Sequence, residues 1–199
     1  MIYKYYTDGA ATMRKVNGEY VREAGGWAWA RVDPETNKVL ESVSGHKDNA
    51  SNNEMELIAI LSALTYYDIH FYDEKEADCV RIYSDSAYCV NIFTTWIKNW
   101  KANCWTRGKK HEPIKNLEII KEIDRLVEKF STGFRQVEFI KVPGHSNDEI
   151  NNFVDKLAVE AKSYYVLKSD KSRDMTEHEQ EVYDSILKEN AEKTGIKMF

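Results

Sequence analysis

The sequence has 199 residues, which is enough for one well-buried domain with an appendage but short for two full domains. Its 42% hydrophobic and 31% charged residues are typical of a globular protein, and no apolar run approaches the roughly 18 residues of a membrane span. A net charge of −5 disfavours general coating of nucleic acid but permits a local basic surface.

The N-terminus and the cysteines indicate a cytoplasmic location. Residues 1–6 lack the charged leader and apolar run of a secretory signal. The three cysteines have no metal-ligand spacing, and an odd number fits a reducing compartment better than a disulfide framework. We therefore expect a cytoplasmic monomer without membrane attachment. The cysteines are Cys79, Cys89 and Cys104.

The first quarter of the chain predicts three strands joined as an antiparallel meander. A charged polar loop, residues 14–23, is expected between the first and second strands, and turn-forming residues 33–37 separate the second from the third. The predicted strands cover residues 2–7, 27–32 and 38–44.

From Asn52 onward the apolar spacing becomes helical, and Asn52 or Asn53 is the expected helix cap. The following elements alternate between strands and helices, which gives the order β-β-β-α-β-α-α-β-α. Strands separated by helices should run parallel through right-handed crossovers. The predicted class is α/β, with a mixed five-stranded sheet of three antiparallel and then two parallel strands, flanked by helices. The later elements are a strand at 80–84, a helix at 86–93, a helix starting at Pro113, a strand at 137–142 and a helix around 153–161.

The chain changes character after about Ser163. Residues 168–173 predict a charged linker, and Thr176 and Glu179 have the spacing of a capping box ahead of an apolar stripe. We expect a core domain over residues 1–163 and a linker with an amphipathic helix over residues 164–199. The helix is expected to pack on the domain, with a partner or substrate contact as the alternative.

Two acids follow predicted strands that should be parallel neighbours. Asp8 ends the first strand and Asp85 ends the fourth. The ends of such strands lie about 5 Å apart, at the sheet edge where α/β proteins bind ligands. Two carboxylates this close repel each other unless a cation is present, and oxygen ligands favour Mg²⁺ or Mn²⁺ over zinc. The alternative for either acid alone is a turn or helix-capping role.

Three further residues become informative only beside this pair. Glu56 lies one turn inside the first helix, Asp155 lies near the start of the last core helix, and His145 follows the fifth strand. Each has an ordinary alternative: a surface acid for Glu56 and Asp155, and a solvated loop side chain for His145.

The residues resemble the type I ribonuclease H family. Seven segments match in family order and span residues 1 to about 163. They are Tyr-Thr-Asp-Gly (6–9), Ser-Asn-Asn-Glu-Met-Glu-Leu (51–57), Tyr-Ser-Asp-Ser (83–86), Trp-Ile-Lys-Asn-Trp (96–100), Pro-Ile-Lys-Asn (113–116), Gly-His (144–145) and Asp-Lys-Leu-Ala (155–158).

The resemblance implies an endonuclease that cuts the RNA strand of an RNA–DNA hybrid and leaves 5′-phosphate and 3′-hydroxyl ends. It implies that two Mg²⁺ ions, for which Mn²⁺ can substitute, lie about 4 Å apart and promote an in-line displacement. Asp8 would bridge both ions, Asp155 would bind one, and Glu56 and Asp85 the other. His145 resembles the family histidine that assists proton transfer or product release.

The resemblance also implies substrate contacts. Asn52 and Asn53 match an asparagine pair that contacts the hybrid, and Ser51 and Asn116 match positions that hold a phosphate of the DNA strand. Residues 98–115 carry six basic residues against one acid, with tryptophans interleaved, which indicates a phosphate-binding surface. Packing of a protruding helix is the alternative for the tryptophans, and we expect a mixed role. The candidates in this segment are Trp96, Lys98, Trp100, Lys101, Trp105, Lys109 and Lys110.

Some positions depart from the family pattern. Ala87 stands where a glutamine is common, Glu54 where an arginine is frequent, and Asn152 where an acid is frequent. These departures leave substrate affinity and sequence preference open. Three rival interpretations are a DNA nuclease or resolvase of the same superfamily, a non-catalytic nucleic-acid-binding module, and a fragment of a larger polyprotein, which a start at Met1 disfavours.

Overall fold

The computed structural model describes residues 1–73, 78–131, 135–144 and 148–169. The chain divides into two compact units, Met1–Ser163 and Tyr164–Phe199. In the second unit only residues 164–169 are described, and they are helical. The predicted linker from residue 168 therefore starts too early, because the helix continues through Ser169. The predicted C-terminal amphipathic helix lies outside the described residues.

The first unit is built on a mixed five-stranded sheet, as predicted. The strand order is β3-β2-β1-β4-β7, with antiparallel pairing from β1 to β2 and from β2 to β3, and parallel pairing from β1 to β4 and from β4 to β7. Two short strands, β5 and β6, form a separate ribbon. The bounds are β1 Ile2–Val16, β2 Glu19–Val32, β3 Val39–Lys47, β4 Cys79–Ser84, β5 Thr106–Arg107, β6 Glu112–Pro113 and β7 Gln136–Lys141.

The helices differ from the predicted ones at their ends, and residues 92–102 add helical structure beyond the predicted helix at 86–93. Ser51, rather than Asn52 or Asn53, caps α1, because its hydroxyl accepts a hydrogen bond from the Glu54 N–H at 3.3 Å. The predicted start of a helix at Pro113 is also wrong, since Pro113 lies in β6 and the left-handed Asn116 (φ 58°) precedes α4. The bounds are α1 Asn52–His70, α2 Ala87–Asn91, a π-helical segment Ile92–Trp96, α3 Ile97–Ala102, α4 Leu117–Phe130 and α5 Glu149–Ser169.

The predicted loop at residues 14–23 is instead a β-hairpin, so β1 and β2 are far longer than expected. Asn17 (φ 51°) and Gly18 (φ 90°) form its turn, and Asn-Gly is a strong sequence signal for such hairpins. The strands were missed because the described side chains of residues 13–22 are exposed. A strand without a buried face has no alternation of apolar and polar residues to reveal it.

The sheet is covered on both faces, since successive residues of β1 point to opposite sides. Tyr5 belongs to the main core, together with residues of α1 and α4 such as Leu64 and Ile120. Tyr6 belongs to a smaller core that includes Val154 of α5. None of the described helices combines the length and the apolar character needed to cross a bilayer.

We predict that Gly26→Ala destabilises the protein by about 1–3 kcal/mol, the usual cost of overpacking. A Cβ atom there would lie 2.0 Å from the carbonyl oxygen of Ala158 and 2.5 Å from the backbone nitrogen of Lys162, so α5 would have to move away from β2. Thermal unfolding measures the loss. Gly108→Asn is the control, because Gly108 has φ 67° and open space around it. Equal unfolding temperatures for the two variants would contradict this prediction.

Candidate metal centre

Asp8 and Asp85 lie side by side where β1 and β4 separate. The parallel register ends with Thr7 opposite Ser84, so these acids are the next residues on the two strands. The sequence analysis placed Asp8 at the end of its strand, and this was wrong. β1 continues beside β2 to Val16. The separation of β4 from β1 leaves room at this level for two carboxylates.

Glu56 reaches the same point from α1. Helix and strand are in close contact here, since a Cβ atom on Gly9 would lie only 2.2 Å from the backbone nitrogen of Glu56. Only glycine permits this approach. One carboxylate oxygen from each of Asp8, Glu56 and Asp85 lies within 4.8 Å of the others.

Asp155 joins the cluster from α5, on the other face of the sheet. Its half-buried carboxyl group lies close enough to Asp8 to contribute to the raised pKa of that acid. The structure thus brings together all four acids that the sequence singled out. They come from two strands and two helices that are distant in the chain.

The cluster is electrostatically unfavourable on its own. Burial is the main cause that raises the pKa of Asp8 to about 7, followed by the charge of Asp85, while a 2.7 Å hydrogen bond from the Gly9 N–H opposes the shift. Burial, and then the charges of Asp8 and Asp85, also raise the pKa of Glu56 well above its usual range. The fully enclosed Glu56 Oε2 has no hydrogen-bond partner among the described residues. Hard divalent cations would supply the missing partner and relieve the repulsion, so the residues fit a metal site.

Two residues that the sequence analysis did not select lie against Asp85. The buried Asn151 directs its Nδ2 to Asp85 Oδ2 at 3.4 Å. A Cβ atom on Gly144 would lie 2.8 Å from the same oxygen, so a larger residue would displace the carboxylate. Asn151 could have been found from its spacing, because it lies four residues before Asp155 and shares its helix face. His145 lies outside the described residues.

The predicted substrate contacts at α1 have partners within the protein. The Ser51 hydroxyl caps the helix, and Asn52 Oδ1 accepts a hydrogen bond from the Ala11 N–H at 2.9 Å. Asn53 is exposed. The Asn116 side chain forms no capping hydrogen bond, although its backbone precedes α4. Of these four residues, Asn53 and Asn116 are therefore the two whose side chains are more available to a substrate.

The basic segment combines structural and exposed residues. Lys101 is bound to Asp124 at 2.7 Å and to Glu128 at 2.5 Å, which joins α3 to α4. The three tryptophans pack against the main core, and Trp96 and Trp100 have ring centroids 5.7 Å apart. Packing therefore accounts for the tryptophans and for Lys101. The exposed basic side chains of the segment are Lys98, Arg107, Lys109, Lys110 and Lys115, of which Arg107 forms an ion pair with Glu112.

The structure shows the surroundings of two positions that depart from the family pattern, Glu54 and Ala87. Glu54 forms an ion pair with Lys47, which links the start of α1 to the end of β3. This contact explains how a nearly buried glutamate is accommodated there. Ala87 is the exposed first residue of α2.

Comparison with known proteins agrees with this geometry. The ribonuclease H of Acetivibrio thermocellus is 38% identical over 156 residues, which cover 78% of this chain and 90% of that protein. Among solved structures, the PFV RNase H domain has a TM-score of 0.64 and 20% identity, with coverage of 82% of this chain and 94% of that one. LC11-RNase H1 in complex with RNA/DNA hybrid has a TM-score of 0.58 and 20% identity, covering 82% and 99%. These two likenesses concern the fold.

The match to the family is continuous across the first unit. The family described as RNase H matches residues 2–163, a range that contains all four acids of the cluster and both residues that contact Asp85. The chain belongs to the ribonuclease H family of endoribonucleases.

Proposed function

We propose that the chain is a metal-dependent endonuclease that hydrolyses the RNA strand of RNA–DNA hybrids and leaves 5′-phosphate and 3′-hydroxyl ends. The observation that carries this proposal is the convergence of Asp8, Glu56, Asp85 and Asp155 at one edge of the sheet. Membership of the ribonuclease H family supports the choice of substrate. Residues 1–163 form the catalytic domain in this proposal, and the enzyme acts as a monomer.

The four carboxylates would hold two divalent cations, Mg²⁺ or in its place Mn²⁺. Asp8 would be a ligand of both ions, Asp155 of one, and Glu56 and Asp85 of the other. When bound, such ions supply an activated water and neutralise charge on the scissile phosphate and the leaving 3′ oxygen. The all-oxygen ligand set and the unpaired Glu56 Oε2 support this assignment.

The remaining residues of the site would orient these groups and move protons. Asn151 restrains Asp85 through its side-chain amide, and the Gly9 N–H restrains Asp8. A carboxylate held by a neighbouring donor loses less freedom when it binds an ion. We assign His145 to proton transfer or product release, since an imidazole titrates near neutral pH.

Selectivity for the hybrid would come from groups beside the cluster. Asn52 and Asn53 begin α1, and α1 also carries Glu56, so contacts to the hybrid would be made next to the reacting phosphate. Ser51 and Asn116 would hold a phosphate of the DNA strand, with Lys98, Lys109 and Lys110 adding charge farther away. Trp96, Trp100, Lys101 and Trp105 support that basic surface through their packing and ion pairs. Sensing of the 2′-hydroxyl group distinguishes RNA from DNA.

The first prediction concerns substrate and metal. Labelled hybrid should be cut only when Mg²⁺ or Mn²⁺ is present, whereas RNA duplex, DNA duplex and single-stranded RNA should remain intact. Asp8→Asn should lower kcat/KM by roughly 10³-fold or more, since it removes a ligand shared by both ions. The matched control is Glu118→Gln, an exposed acid in the first turn of α4. Preferential cutting of DNA would instead favour the DNA nuclease or resolvase interpretation, and no cutting of any substrate would favour the binding-module interpretation.

The second prediction uses the raised pKa of Asp8. Its carboxyl group titrates near 7 when folded but near its ordinary value of 3.8 when unfolded, so protonation favours the folded state and this stabilisation is lost as pH rises through about 7. The unfolding temperature of the metal-free protein should therefore be a few °C higher at pH 6 than at pH 8. In a protein of this size, each kcal/mol of stability corresponds to a shift of about 2–4 °C. Added Mg²⁺ should recover the loss at pH 8. Asp8→Asn should reduce both effects, and the raised pKa of Glu56 accounts for the part that remains. An unchanged pH dependence in that variant would contradict the assignment.

The third prediction concerns Asn151. Asn151→Ala should raise the Mg²⁺ concentration needed for half-maximal activity by about 10-fold, because a residue that orients a metal ligand typically contributes 10- to 100-fold. The exposed neighbour Asn152 provides the matched control, Asn152→Ala. A lower kcat at saturating Mg²⁺ with an unchanged metal requirement would argue against positioning of Asp85.

A further inference from the structure

The β1–β2 hairpin continues past the acidic cluster. β1 pairs with β4 only as far as Thr7, and β2 pairs with β3 only from Gly25, but β1 and β2 remain paired to the turn at Asn17. We call residues 13–22 the hairpin arm. It is a two-stranded ribbon that extends from the sheet edge where Asp8 and Asp85 lie.

The two faces of the hairpin arm differ in charge. Residues directly opposite each other on antiparallel strands share a face. Met13 is opposite Arg22, and Lys15 is opposite Tyr20, so these four side chains lie on one face. That face carries two cations and no acid. Glu19, the acid of the arm, is opposite Val16, and Arg14 is opposite Val21, so the register assigns one acid and one cation to the other face.

The basic face is open to solvent. Tyr20 is 70% exposed and Met13 is 58% exposed, and Lys15 and Arg22 are also exposed. The Lys15 Nζ lies 5.9 Å from the centre of the Tyr20 ring. Neither Lys15 nor Arg22 forms an ion pair with an acid among the residues that the structure describes. A two-stranded ribbon gains little stability by itself, so packing does not account for an exposed aromatic ring and methionine beside two cations.

The orientation of this face follows from the alternation along β1. Gly9 faces α1, because a Cβ atom there would touch the backbone of Glu56. Ala11, Met13 and Lys15 follow at intervals of two residues, and the extra residue of the β-bulge lies on β2, so they face the same side. The Ala11 N–H also donates to Asn52 Oδ1 at the start of α1. The basic face and the amino-terminal turn of α1 thus lie on the same side of the sheet.

We propose that the hairpin arm binds the sugar–phosphate backbone of the hybrid duplex, away from the position of cleavage. This inference rests on the proposed function. Lys15 and Arg22 would bind phosphates, and Tyr20 would pack against sugars beside them. Lys15 lies seven residues beyond Asp8, which is roughly 23 Å along an extended strand. That reach corresponds to at most about seven base pairs at the ~3.4 Å spacing of phosphates along one strand.

The test compares long and short hybrids, about 24 and about 8 base pairs. In the double variant Lys15→Ala/Arg22→Ala, KM for the long hybrid should rise about 10-fold near 0.1 M salt, and the slope of log KM against log salt should fall by about 2. The short hybrid carries its cleavable position at its centre, so it extends only about four base pairs to either side and does not reach Lys15. Its KM should therefore change by less than about twofold.

Two controls isolate the charge and its position. Lys15→Arg/Arg22→Lys keeps both charges and should behave as the wild type. Lys38→Ala removes an exposed cation from the β2–β3 turn, at the opposite end of β2, and should leave both KM values unchanged. Far-UV circular dichroism and thermal unfolding verify that the double-alanine variant is folded.

The result that overturns the inference is a double-alanine variant with wild-type KM on the long hybrid, or with equal losses on both lengths. A wild-type protein that cuts neither hybrid would refute the proposed function separately. Fluorescence anisotropy of the labelled long hybrid then decides the role of the arm, because weaker binding by the double-alanine variant supports it and equal binding refutes it.

Discussion

The repulsion among buried carboxylates is the constraint on which the rest of this structure depends. Asp8 and Glu56 are each about 95% shielded from solvent, and one oxygen from each lies within 4.8 Å of an Asp85 oxygen. Two buried acids in such contact favour protonation, which explains the raised pKa values of both. Bound cations reverse that preference. A fold that was selected for stability alone would not place these side chains together.

Close packing of glycines on both faces of the sheet makes this arrangement possible. Gly9 allows the start of α1 to lie against β1, and Gly26 allows α5 to lie against β2. The two helices therefore deliver Glu56 and Asp155 from opposite faces to the strand edge that carries Asp8 and Asp85. The position of the acids depends on backbone contacts that a single methyl group would prevent.

Near the cluster, some residues of the basic segment pack against the protein and others are exposed to solvent. The tryptophans and Lys101 hold the region of α3 against α4 and the core, whereas Lys98, Lys109 and Lys110 remain exposed. This division accounts for a protein that is acidic overall and yet presents local basic surfaces. The hairpin arm adds a second basic surface at the far end of the β1–β2 hairpin. Only one face of the arm is basic.

The sequence by itself determined the order of the five sheet strands and the main helices, the mixed sheet, the family and the four acids, but not α3 or the β5–β6 ribbon. The features it determined depend on local periodicity and on short motifs that survive without tertiary information. Only the tertiary structure decided the length of the β1–β2 hairpin, the cap at Ser51, the ion pairs of Lys101 and the contact of Asn151 with Asp85. An exposed ribbon has no buried face to mark it, and several neighbouring polar residues could cap the same helix. The partners of Lys101 and Asn151 lie 23 or more residues away in the chain, so only folding brings them within reach.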